Sequence, residues 1–159
     1  MVREILLLGD PRLYEKSAAV ERDELPALHS VVEDLHDTLF AFREKFGCGR
    51  AIAAPQIGIA KRLVYMHIGA PVAFVNPVLS YPDGSLMEVM DDCMSFPHLV
   101  VRVLRYRRCR IDFMDLDWRP RALELEGDLS ELLQHECDHL DGVLAVMRAL
   151  DNKSFYYKP

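Results

Sequence analysis

The feature that most constrains the fold is a pair of histidines, His135 and His139, four positions apart, with Glu136 directly after the first. Apolar residues recur at helical spacing over 128–141, which predicts an amphipathic helix. Residues four apart lie one turn apart on the same face, where two imidazoles can share one divalent metal ion. The glutamate then lies near the open side of the ion and can carry a proton. On the pattern alone, a solvated helix with two surface histidines stays open as the alternative.

A third protein ligand is expected, because catalytic sites of this kind usually hold three and keep one position open. Gly142 fits the longer pattern HExxHxxGxxH, but Ala145 replaces its last histidine, and no glutamate follows Glu136. We therefore expect the third ligand upstream of the helix. Cys93 is the best candidate, since it follows a predicted strand from which a thiolate can face the helix. A buried thiol with no ligand role is the alternative.

The segment 49–58 forms a third candidate part of a site. It is small, apolar and turn-forming, and small residues let the backbone approach a ligand closely. Its one amide side chain, Gln56, is placed to donate an N–H to an oxyanion. An ordinary loop between a helix and a strand is the alternative.

Strand-like segments lie between two predicted helices, of which the first spans residues 26–46. Short runs rich in Val, Ile, Leu and aromatic residues predict six strands, over 62–68, 72–79, 85–91, 99–105, 108–115 and 121–126. Residues 3–8 are expected as a strand or an extended arm, and residues 117–120 as a hairpin turn. The order predicts an α+β fold, with antiparallel β-sheets packed around the C-terminal metal-binding helix and a longer N-terminal helix.

Composition narrows the classes of function. The 159 residues contain no internal repeat and no Gly/Ser linker, which predicts one domain over 1–159. A formal net charge of −6 disfavours a dedicated binder of DNA or of an anionic membrane, since both need a basic face. No apolar run is long enough to span a membrane and no signal peptide is recognised, so we expect a cytoplasmic protein. Its four cysteines are then expected as thiols or metal ligands.

Three segments together resemble the motifs of the peptide deformylase family. The family pattern is GxGxAAPQ, then EGCxS, then QHExDH, and this chain has GRAIAAPQ (49–56), DDCMS (91–95) and QHECDH (134–139) in the same order. The resemblance implies a metal-dependent hydrolase that removes the formyl group from an N-formylmethionyl peptide or a variant N-formyl amine and releases formate.

The resemblance also implies a role for each motif residue. It assigns one divalent ion to Cys93, His135 and His139. Fe(II) is the ion expected in the cell, because the family commonly uses it; zinc, nickel or cobalt also suit such a site, and ligand softness alone favours zinc. The oxyanion formed by attack of water on the formyl carbon is expected at the Gln56 side chain and the backbone N–H of Met94. Glu136 is the implied general acid and base.

Charged residues near the ligands are expected to support them. Asp138 is predicted to hold a ligating histidine or an arginine in place. Arg102 is predicted to pair with Asp91, as an arginine does with the family's glutamate at that position. For each, a surface ion pair of little energetic value is the alternative.

The chain departs from the family where a formylmethionyl substrate would touch it. Ala51 replaces a motif glycine, Asp92 replaces the glycine before the cysteine, and Arg50, Asp128 and Glu131 stand at usually apolar positions. Charges are poor partners for a methionine side chain, so formyl-Met peptides are predicted to be poor substrates. If Arg50 pairs with one of the two helix acids, small substrates are favoured; if the acids stay free, a basic substrate is favoured.

Five arginines lie within residues 102–110 and form a basic run. The simpler hypothesis is a solvated face of a strand, and the more specific one is contact with RNA. Family members act at the ribosome, often through a C-terminal extension. Residues 152–159 are too few for a substantial further helix, which argues against ribosome docking here.

Two other functions remain open. A peptidase using the same histidine helix is disfavoured by the missing downstream ligand. A non-catalytic binding protein that keeps the fold and the metal is disfavoured by the intact Glu136 and Gln56.

Overall fold

The structure, a computed structural model, describes all 159 residues. Its helices are α1 (Leu25–Phe46) and α2 (Asp128–Leu140). Its strands are β1 (Ala51–Ala53), β2 (Leu63–Ile68), β3 (Ala70–Ser80), β4 (Leu86–Cys93), β5 (Phe96–Tyr106), β6 (Arg108–Met114), β7 (Pro120–Glu126) and β8 (Phe155–Tyr157). They form a five-stranded sheet in the order β1-β2-β3-β6-β7 and a three-stranded sheet in the order β4-β5-β8, with antiparallel pairing throughout.

Helix α1 covers one face of the five-stranded sheet. Its apolar stripe, including the fully buried Leu35 and Leu39, packs against Leu63 and Tyr65 of β2. The helix ends at Gly47, whose φ of 71° is the left-handed conformation that glycine adopts at low cost.

Helix α2 covers the opposite face of the same sheet. Val64 of β2 alternates with the residues that face α1 and packs with Leu133 and Leu140 of α2. Phe74 and Ile111 complete this core. Because successive strand residues point to opposite faces, one sheet buries apolar side chains under both helices.

The three-stranded sheet brings a cysteine to the side of α2. Val101 and Val103 of β5 are fully buried and form a third core cluster with Cys93 and Leu144. The register between β4 and β5 shifts just before Cys93, and the chain turns there. The thiol therefore lies where a strand ends against the helix.

The predicted α+β fold is confirmed. Both helices and all six predicted strands are present, with boundaries within three residues of those predicted. Two three-residue strands, β1 and β8, were not predicted. Residues 3–8 form an extended arm, in which the N–H of Leu6 donates to the carbonyl of Gln56 at 2.8 Å and that of Leu8 to Ser95 at 2.9 Å. Neither helix combines the length and the apolar character that a membrane span requires.

A glycine after α2 provides a test of this packing. Gly142 has a φ of 72°, and a Cβ there would overlap the carbonyl oxygen of Tyr14 and lie 2.6 Å from its carbonyl carbon. Gly69 has nearly the same φ, 73°, but its Cβ would meet nothing within 4 Å. We expect Gly69→Ala to lower the free energy of unfolding by about 1–2 kcal/mol through backbone strain alone. Gly142→Ala should lower it clearly more, as measured by urea unfolding; equal losses would contradict this packing.

Candidate metal centre

Helix α2 and the end of β4 bring three ligand atoms together. The Sγ of Cys93 lies 3.3 Å from Nε2 of His139, and one ligand atom from each of Cys93, His135 and His139 lies within 4.8 Å of the others. All three side chains are buried. A tetrahedral ion with metal–ligand bonds of about 2.0–2.3 Å needs ligand atoms about 3.5 Å apart. One thiolate and two imidazoles at this spacing fit a divalent transition metal.

Asp91 orients the first histidine. Its carboxylate lies 3.0 Å from Nδ1 of His135, which leaves Nε2 free to face Cys93 and His139. Burial raises the pKa of Asp91, but the charges of His135 and Arg105 and their hydrogen bonds outweigh it and lower the pKa to about 2. Asp91 is therefore a carboxylate that holds one imidazole tautomer.

A buried arginine links this carboxylate to the helix. Arg105, whose side chain is 2% exposed, donates to Asp91 at 2.9 Å and to Asp138 at 2.6 Å. Asp138 also accepts two hydrogen bonds from Arg148, at 2.6 and 2.9 Å. As expected from the sequence, Asp138 holds an arginine in place, and through Arg105 it supports Asp91.

The predicted pair between Arg102 and Asp91 is wrong. In the ladder of β4 and β5, Asp91 lies opposite Val101, so residues 101, 103 and 105 share its buried face. Arg102 lies opposite Met90 on the outer face and pairs with Glu88 at 3.3 Å. The alternation of a strand thus makes Arg105 the partner, three positions further along.

Gln56 is held with its amide N–H₂ aimed at the cysteine. Its Oε1 accepts from the N–H of Ala53 at 2.9 Å, which fixes the orientation of the amide. Its Nε2 lies 3.1 Å from the hydroxyl of Ser95 and 3.5 Å from Sγ of Cys93. The backbone N–H of Met94, in the turn between β4 and β5, donates to no group of the chain. The amide of Gln56 thus lies beside Sγ of Cys93, and the free N–H of Met94 belongs to the residue that directly follows this cysteine.

Glu136 follows His135 on α2 and lines the same cavity. It is 4% exposed, and its Oε2 has no hydrogen-bond partner within the chain. Burial raises the pKa of Glu136 to about 7, against the opposing charge of His135. A carboxyl group in this setting is suited to accept and release protons near neutral pH.

The cavity in front of these groups has a volume of about 700 Å³ and is bordered by two ion pairs. Arg50 lies 3.1 Å from Glu131, and Asp92 lies 2.7 Å from the ammonium group of Lys158. Ala51 lines the cavity as a buried residue of β1.

Asp128 is not among the residues that line the cavity, contrary to the sequence prediction. It is exposed in the first turn of α2. At 1.5 Å per residue, the helix carries it about 10 Å along the axis from His135.

Sequence reasoning missed several residues of the site. Finding Arg105 requires the register of β4 on β5 as well as strand alternation, whereas Ser95 stands in the same motif as the cysteine. Lys158 gave no local signal, because it reaches the cavity only through the pairing of β8 with β5. The basic run is largely paired: Arg105 is buried, Arg108 pairs with Asp83, and Arg110 pairs with Asp112 and Glu124.

Known proteins match the chain over almost its whole length. The sequence model of the polypeptide deformylase family matches residues 2–155. A peptide deformylase from Dictyoglomus turgidum is 33% identical over 156 residues, covering 97% of this chain and 97% of its own. The crystal structure of peptide deformylase from Thermotoga maritima has a TM-score of 0.86 at 30% identity, covering 95% of this chain and 99% of its own.

A second similar structure carries a ligand. The peptide deformylase from Synechococcus elongatus, solved in complex with actinonin, has a TM-score of 0.86 at 29% identity and covers 94% of this chain and 80% of its own. The resemblance recognised from the three motifs is confirmed by these matches.

The geometry predicts that Cys93 is needed for metal binding. Cys93→Ser replaces a thiolate by a hydroxyl that ionises far less readily, so the protein should lose most of its affinity for a divalent ion. The measurement is metal content per chain after dialysis against a weak chelator. Cys137→Ala is the matched control, because this thiol is also buried but lies in the core under the sheet. A Cys93→Ser protein that holds one ion per chain as tightly as the control contradicts the assignment.

The buried network predicts opposite sensitivities for two arginines of β5. Arg105→Met leaves Asp91 and Asp138 without their buried partner and should lower the free energy of unfolding by about 3–5 kcal/mol. Arg102→Met removes a surface pair and should cost about 0–1 kcal/mol. Urea unfolding of the two variants under the same conditions measures both. A larger loss of unfolding free energy for Arg102→Met than for Arg105→Met would instead support the pair between Arg102 and Asp91.

Proposed function

The chain belongs to the polypeptide deformylase family, and from that premise we propose that it hydrolyses the formyl amide at the amino terminus of a peptide and releases formate. The observation that carries the proposal is one buried cluster, in which the ligand atoms of Cys93, His135 and His139 lie within 4.8 Å of one another. Glu136 and the amide of Gln56 border the same cluster.

Cys93, His135 and His139 are the proposed ligands of one divalent ion. The ion supplies Lewis acidity, which polarises a carbonyl and makes water a nucleophile near neutral pH. We propose Fe(II) as the ion in the cell, with zinc, nickel and cobalt as possible substitutes in the same donor set.

The donors beside the cluster are proposed to bind the formyl oxygen. As water attacks the formyl carbon, negative charge develops on that oxygen, and fixed N–H donors stabilise it because they need no reorientation. The side chain of Gln56 is held by Ala53 and has its Nε2 on the cysteine side. The unpaired N–H of Met94 is the second proposed donor.

Glu136 is the proposed carrier of the proton. It takes a proton from the attacking water and delivers it to the amide nitrogen as the carbon–nitrogen bond breaks, so that the products are formate and a free amine. Its Oε2 is buried without a partner, which leaves that oxygen available for the transfer. Asp91, Arg105 and Asp138 act through His135, by holding its ring in one orientation.

We propose that the protein acts in the cytoplasm on N-formylated peptides. All four cysteines are free thiols and three of them are buried, which suits a reducing compartment. Contact with the ribosome or with RNA receives no support from the paired arginines of β5 and β6.

Glu136→Ala should keep the metal and lose turnover. General acid–base groups typically contribute about 10²–10⁴-fold, and the ligand set is unchanged by this substitution. The measurement is formate release from a panel of formylated peptides by protein loaded anaerobically with Fe(II) or Co(II), together with metal content. Activity within threefold of the wild type removes Glu136 from the proton transfer. Cleavage of unblocked peptides without formate release would favour a peptidase instead.

A further inference from the structure

An ion pair closes one side of the cavity next to the metal cluster. Arg50 lies just before β1, the strand whose Ala53 fixes Gln56. Glu131 lies on α2, one turn before His135. Their contact at 3.1 Å therefore joins the segment that carries the oxyanion donor to the helix that carries the metal ligands.

The two partners of the ion pair differ in exposure. For this reason, an apolar substrate side chain separates them only at an energetic cost. The side chain of Glu131 is 13% exposed, whereas that of Arg50 is 42% exposed. If Arg50 swings out to solvent, Glu131 is left as a partly buried carboxylate near Asp91, and both burial and Asp91 raise its pKa. A long apolar side chain offers this carboxylate no partner in exchange.

We propose that the pair between Arg50 and Glu131 selects substrates whose residue next to the formylated nitrogen has no side chain or only a methyl group. This inference rests on the proposed function and names its substrate class: N-formylglycyl or N-formylalanyl peptides and amines of similar size. In this inference, a formyl group bound at Gln56 and Cys93 has the substituent of its nitrogen in the adjoining cavity, and the ion pair of Arg50 and Glu131 lines that cavity.

The paired state favours small substrates over basic ones. A basic side chain could replace Arg50 at Glu131, but it would have to displace a guanidinium that is already in hydrogen-bond contact. Asp128, the other acid considered from the sequence, lies outside the cavity and provides no second site for a cation.

The test compares formyl-Gly, formyl-Ala, formyl-Met and formyl-Lys peptides that share the rest of their sequence. With the metal-loaded wild-type protein, we expect kcat/KM for the Gly and Ala peptides to be at least tenfold above that for the Met peptide. Replacing both partners, R50L with E131L, removes the pair without leaving a lone charge, and should raise kcat/KM for the Met peptide at least tenfold. Arg50→Lys keeps the charge pair and should keep the wild-type order.

Binding of the deformylated products gives a readout without turnover. Calorimetry should show tighter binding of the Gly product than of the Met product to the wild type, and the reverse order for R50L with E131L. Urea unfolding checks that the variants are folded.

Each contrary result has a separate meaning. A wild type that prefers formyl-Met tenfold, or formyl-Lys, overturns this inference and leaves the proposed function standing. Absence of formate from every peptide with stoichiometric metal bound overturns the proposed function and this inference with it.

Discussion

The site depends on one buried guanidinium. Arg105 reaches from the three-stranded sheet to Asp91 on the neighbouring strand and to Asp138 on α2, at 2.9 and 2.6 Å. These contacts join the strand that ends in Cys93 to the helix that carries His135. Two carboxylates and one arginine are stable away from water only when all are present, because each compensates the burial of the others. The orientation of His135 is thus fixed by the same few charges.

Much of the fold and the central chemistry could be predicted from the sequence. The helix periods and the short apolar runs gave α1, α2 and six strands, because each is a local pattern. Ligand chemistry made Cys93 the best candidate for a third ligand, since the segment after Glu136 offers none of the usual kind, and the three-motif resemblance assigned it that role. Pairing between strands was harder to predict from the sequence. Arg102 and Arg105 point to opposite faces of β5, and the register of β4 on β5 is needed to know which face Asp91 shares.

The two ion pairs that border the cavity were the least predictable part of the site, because their partners lie far apart in the sequence. The contact between Arg50 and Glu131 spans 81 positions, and Lys158 meets Asp92 across 66. From the sequence, a pair between Arg50 and an acid of the helix and a set of unpaired acids were both open. Deciding between them requires the position of the first turn of α2 relative to β1. The strands β1 and β8, of three residues each, are too short to give a periodic signal, yet they set both ends of the rim.

The extended arm at the amino end has a mechanical consequence. The N–H of Leu6 donates to the carbonyl of Gln56, and that of Leu8 donates to the carbonyl of Ser95. The arm therefore connects the two loops that supply the amide of Gln56 and the hydroxyl group next to it. The start of the same arm is bonded to helix α1: the amino group of Met1 lies 2.9 Å from Asp34, and the N–H of Arg3 donates to Thr38 at 2.9 Å. A load applied at the amino end therefore reaches α1 before it reaches these two loops. The arm thus connects α1 to both loops next to the candidate metal centre.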